Sequence, residues 1–174
     1  MRPITLSLLL FFSCVCSIQA QQIATSKAQL NLSANFPSGK VRAYNDVAQT
    51  NLNLKDGILD IVVYNQSFEF KPALKSKLKK EVEAVHQHTE TRIKAQITNI
   101  RKIDFTQEGN QPARVIGRFM YNDKSTTFYD KAQISIEHGE ITLTISLELL
   151  LVDFGIVGVD EDERMLVDFV ASLE

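Results

Sequence analysis

The sequence predicts an all-β fold: eight or nine antiparallel strands interrupted by one amphipathic helix. Three observations carry this. Apolar and polar residues alternate with period two through most of the chain, the pattern of strands with one buried face. Short polar turns, several of them bearing glycine, separate the alternating runs. No long parallel crossover is available, so neighbouring strands run antiparallel.

The elements follow in order. Leu30, Leu32 and Ala34 alternate with Asn31 and Ser33, and Val41 and Ala43 form a short partner beyond Pro37-Ser38-Gly39. A hairpin runs from Leu52–Leu54 through Lys55-Asp56-Gly57 to Leu59, Ile61 and Val63, with Asp-Gly as the turn signal. From Pro72 to about Val85 the period changes: Leu74, Leu78, Val82 and Val85 recur at helical spacing, Lys75, Lys77, Lys79 and Lys80 point elsewhere, and Pro72 suits a first turn. Ile93, Ala95 and Ile97 then shift phase to Ile100, Ile103 and Phe105, which predicts a β-bulge near Thr98 or Asn99. After a polar loop from Gln107 to Pro112 comes the strand of Val115, Gly117, Phe119 and Tyr121. The clearest hairpin pairs Ala132, Ile134 and Ile136 with Ile141, Leu143, Ile145, Leu147 and Leu149 across His138-Gly139, and Leu166–Leu173 closes the list of strands. Such a sheet closes as a barrel or packs as a sandwich, and alternation alone does not choose between them.

The chain has 174 residues, and the first 20 have the build of a secretory signal peptide. Arg2 precedes an apolar stretch from Ile4 to Phe12, too short for a bilayer span, and small residues end at Ala20. Residues 21–174 then form one domain. Cys14 and Cys16 both lie in the leader, so the remainder has no disulfide framework and relies on an ordinary core. Cys14 is a candidate lipidation site, although aromatic residues stand where small or aliphatic ones precede such a cysteine. Beyond the leader 18 basic residues face 21 acidic ones, a balance that argues against nucleic acid as the partner. A charged fraction of 23% with a hydrophobic fraction of 44% excludes wholesale disorder.

Catalytic chemistry is sparse. After the leader there is no thiol and no Gly-x-Ser-x-Gly elbow, and the histidines are His86, His88 and a turn residue, His138. The expectation is therefore a protein that is not an enzyme and needs no cofactor. His86, His88 and Glu90 alternate, so an extended backbone would project all three toward one metal ion; at a helix end the same residues read as solvated. Asp160 to Glu163 lack the spaced ligands and internal glycine of a calcium loop. Phe68 and Phe70, two apart on one face, either fill the core beneath the helix or line the mouth of an apolar tunnel with the helix as lid. The helix lysines suit transient contact with an anionic membrane surface as well as plain solvation, and Glu81 and Glu83 dilute them.

Ser67-Phe68-Glu69-Phe70-Lys71, Ile93-Lys94-Ala95-Gln96-Ile97 with Asn99-Ile100, Val115-Ile116-Gly117-Arg118-Phe119 and Val152-Asp153-Phe154-Gly155-Ile156 stand in an order that resembles the YceI-like family. These are secreted, lipocalin-like proteins that hold polyisoprenoid chains. The segment from Ala73 to His88 and the turn Asn122-Asp123-Lys124 depart from the family's pattern. The resemblance implies an eight-stranded antiparallel barrel, located in the periplasm, carrying a long apolar lipid of isoprenoid type. Its wall would comprise Ile61, Val63, Phe68, Phe70, Leu74, Leu78, Ile97, Val115, Phe119, Ile134, Ile136, Leu143, Ile145 and Leu147. The rival expectations are a filled barrel serving as an interaction or structural protein of the envelope and a metal-dependent enzyme. The sequence leaves a dimer open.

Overall fold

The computed structural model describes residues 22–36, 39–70, 89–154 and 160–173. The strands are β1 (Gln22–Phe36), β2 (Gly39–Asn53), β3 (Ile58–Tyr64), β4 (Glu69–Phe70), β5 (Glu90–Ile97), β6 (Gly109–Tyr121), β7 (Lys124–Glu137), β8 (Glu140–Leu150) and β9 (Arg164–Leu173). They follow the order β1-β9-β8-β7-β6-β5-β3-β2, and β1 pairs with β2 as well, so eight antiparallel strands form a closed ring. The two-residue β4 adds to the outer half of β2, matching Phe70 with Ala43. Closure removes the exposed edges that a sandwich of the same strands would keep. Residues 1–20, the expected helix from Pro72 to Val85, and His86 and His88 lie outside the described residues.

Alternation becomes an inside and an outside. On β8 Leu143, Ile145, Leu147 and Leu149 are buried while Ser146 and Glu148 are exposed, and on β9 Val167, Phe169, Ala171 and Leu173 are buried. The β7–β8 turn has both His138 (φ 53°) and Gly139 (φ 84°) in the left-handed region, a two-residue turn whose twist matches its strands.

Three local expectations are corrected. Val41-Ala43 and the start of the Leu52-Leu54 run are parts of one 15-residue strand, β2, which ends at Asn53. Ala43 and Asn45 face inward, Asp46 and Val47 are both exposed, and Ala48, Thr50 and Leu52 face inward again. The register against β1 shifts at the same place, and the Asn45 Oδ1 accepts the Val47 N–H at 3.1 Å. This bulge bends the strand for closure, and the phase break it causes makes one strand look like two. After Ile97 the chain leaves the sheet instead of bulging: a 3-10 turn at Ile100–Lys102 buries Ile100 and Ile103, whose spacing of three suits 3.0 residues per turn. The polar stretch Gln107–Pro112 is mostly strand, because β6 begins at Gly109 and pairs Pro112 with Gln133 where it has run past the end of β5, an edge position that tolerates proline.

The two ends of the barrel differ. At the base, Ile100 and Ile103 cap the core, with Leu54 and Phe105 packed against it. Gly57 is required there: its φ is +73°, and a Cβ would lie 2.5 Å from the Ile97 carbonyl oxygen. The Asn99 side chain replaces missing ladder bonds, accepting from the Arg114 N–H at 2.8 Å and donating to the Pro112 carbonyl at 3.0 Å. At the mouth lie β4, the start of β5, the turn at Asn122-Asp123, and the 3-10 turn Leu151–Phe154 after β8.

Candidate functional site

The interior is an apolar wall. Ile61 and Val63 from β3, Ile97 from β5, Val115 and Phe119 from β6, Ile134 and Ile136 from β7, and Leu143, Ile145 and Leu147 from β8 are each at most 3% exposed. Strand parity alone puts these side chains on one surface, and ring closure turns that surface inward. Ile97 and Ile136 stand toward the base; Val63 and Leu147 stand toward the mouth. Phe68 and Phe70 are 3% and 7% exposed with Glu69 exposed between them, so both rings turn into the core at the mouth. Leu74 and Leu78 lie outside the described residues.

Phe154 closes part of the mouth. The 3-10 turn that carries it is tied to β7 by the Thr126 hydroxyl, which donates to the Asp153 carboxylate at 2.9 Å. Its ring meets Phe119 edge-on, centroids 5.4 Å apart at 76°, and Tyr121 at 6.4 Å and 81°.

A polar cluster also lies at the mouth, next to Tyr121, the cross-strand partner of Thr91. The Thr91 hydroxyl donates to Asn65 Oδ1 at 2.6 Å, and both residues are buried. Asn45 donates through Nδ2 to the Ser67 hydroxyl, which donates to the Tyr64 carbonyl at 2.6 Å. Two buried atoms are left over: Asn65 Nδ2 and, one inward row deeper, Thr50 Oγ1 have no hydrogen-bond partner among the described residues. Each unsatisfied group costs about 1–3 kcal/mol. Asp60 Oδ1 and Arg92 Nε also lack hydrogen bonds, but they face one another as an ion pair at 3.6 Å.

No family model matches the chain, and no curated protein does. Solved structures do. The barrel is similar to a polyisoprenoid-binding domain from Saccharophagus degradans implicated in plant cell wall breakdown. Its TM-score is 0.68 at 10% identity, over 89% of this chain and 98% of that one. The chain has the fold of that domain. BcnA of Burkholderia cenocepacia is also similar, with a TM-score of 0.57 at 14% identity over 83% of this chain and 96% of that one.

Within the barrel several interior residues escape sequence reasoning. Phe154 and Phe169 line the same interior, the first from a segment that resembles the family's and the second from plain alternation on β9. Asn45, Thr50 and Thr91 occupy inward parity, Thr50 two residues before Leu52 and Thr91 two before Ile93; a polar residue in an apolar phase is the signal that finds them. Asn65 stands in a 3-10 turn, where neither period applies. As for metal, Glu90 lies 3.9 Å from Arg92, and no group of three potential ligands occurs among the described residues.

Burial pushes the Tyr121 phenol above its ordinary value. A folded-state value raised above the unfolded one means stability that is fully present below pH 10 and is lost as pH rises through the folded value. Absorbance titration of the four tyrosines is expected to show a delayed tyrosinate step that Tyr121→Phe removes. Persistence of that step in the variant assigns it elsewhere.

Proposed function

We propose that this protein carries a long apolar lipid of isoprenoid type inside its barrel, exported to the periplasm by its leader. The observation that carries the reading is the continuous aliphatic and aromatic interior, from Ile97 and Ile136 near the base to Phe70 and Leu147 near the mouth, in a barrel with the fold of a polyisoprenoid-binding domain. Such a carrier needs no acid, base or nucleophile, because affinity grows by roughly 0.8 kcal/mol per methylene buried. Phe68, Phe70 and Phe154 act at the entrance, where rigid rings cover much area at little entropic cost. The exported location rests on the arrangement of Arg2, the apolar run and Ala20.

A second reading has its own support: the near-zero exposure of Ile61, Ile134 and Leu143 suits a barrel filled by its own side chains and acting as an envelope interaction protein. One experiment separates them. Native mass spectrometry of the protein purified from its own host is expected to show a non-covalent lipid adduct; protein that arrives bare after gentle extraction favours the filled barrel.

A further inference from the structure

Inside the mouth, two polar atoms wait in a wall that is otherwise apolar. Asn65 is fully buried, its Oδ1 is taken by the inward Thr91 hydroxyl, and its Nδ2 has no acceptor. Thr50, 3% exposed, holds an unpartnered hydroxyl one inward row deeper, since it pairs with Ile61 while Thr91 pairs with Val63. Buried polar groups are normally satisfied, so this pair marks a place built for a partner that arrives with the cargo.

The charge around them narrows that partner. Lys40, Lys55, Lys94, Lys102, Lys124 and Lys131 are exposed, and of the described arginines all are exposed but Arg92, which pairs with Asp60. A phosphate or carboxylate carried to Asn65 would meet no described counter-charge there, and an unpaired buried charge is strongly disfavoured. A neutral hydroxyl suits Asn65: its oxygen accepts from Nδ2, and its proton remains available to another acceptor. We propose that the barrel selects a lipid with a neutral alcohol oxygen, seated against Asn65 Nδ2, over both the bare hydrocarbon and the charged ester. This rests on the carrier reading and adds the polarity of the cargo's head.

The test uses three isoprenoid probes with one carbon skeleton: phytol, phytane and phytyl phosphate. They compete at equal concentration for the intact protein, and adducts are read by native mass spectrometry. Phytol is expected to exceed phytane by about tenfold, the worth of one buried hydrogen bond, and to exceed the phosphate. In Asn65→Leu/Thr91→Val, which removes both members of the buried pair, phytol falls to parity with phytane while the phytane adduct persists. Equal binding of phytol and phytane by the unmodified protein, preference for the phosphate, or an unchanged preference in the folded double variant each overturns the inference. The comparison on the unmodified protein stands even where the double variant fails to fold. Absence of all three adducts defeats the carrier reading itself, and the inference with it.

Discussion

Ile145→Asp unfolds the protein, whereas Phe70→Asp leaves it folded and unable to retain its lipid. Ile145 is 1% exposed in the middle of β8, matched with Ala132 on β7 and Phe169 on β9. A carboxylate there has paired strands on both sides and no described cation within the wall. The loss is expected to exceed about 4 kcal/mol, a large share of the roughly 5–15 kcal/mol that holds a domain folded. Phe70 is 7% exposed, ends a two-residue strand, and stands at the mouth, where an aspartate can turn toward water. It still removes an apolar ring from the entrance. Thermal melts by circular dichroism, combined with lipid adducts by mass spectrometry, read the two effects separately. Equal unfolding of both variants makes Phe70 an ordinary core residue and removes it from the entrance.

Gly117→Val is the second large effect. Gly117 sits in the middle of β6 between Ala95 on β5 and Phe128 on β7. A Cβ there would lie 2.6 Å from the Ala95 Cβ, 2.7 Å from the Lys94 carbonyl oxygen and 2.7 Å from Phe128 Cζ. The Phe128 ring end can swing away. The carbonyl is fixed by the β5–β6 ladder, so the strands themselves must part. Overpacking of this kind costs about 3 kcal/mol, which lowers Tm by roughly 6–12 °C in a chain of this size. Gly117→Ala/Phe128→Leu is expected to remain destabilised, because relief of the ring contact leaves the carbonyl contact in place. A Gly117→Val protein that melts with the parent shows that β5 and β6 do not approach this closely.

Most of the wall was legible in advance because inward parity is a local property. A residue two positions from an inward residue on the same unbroken strand is inward too, so Leu143, Ile145 and Leu147 declare themselves from sequence, as do Ile134 and Ile136. Where the backbone leaves the strand conformation the rule fails. The bulge at Asp46-Val47 disguised one strand as two, and the 3-10 turn at Ile100–Lys102 imitated a bulge because an i, i+3 apolar pair breaks period two in the same way. The first half of β7 went unread since Ser125, Thr126, Thr127 and Asp130 surround the single buried Phe128.

What these residues settle alone is which side chains seek the interior, since alternation, turn glycines such as Gly57 and Gly139, and apolar composition all act over a few positions. Whether that interior is a ring is decided only when β1 pairs with β2 on one side and β9 on the other, joining segments more than a hundred residues apart. The same long-range assembly places Phe154 over Phe119 and leaves Asn65 Nδ2 without a partner, because contacts between distant strands depend on register and bend, which no local pattern encodes.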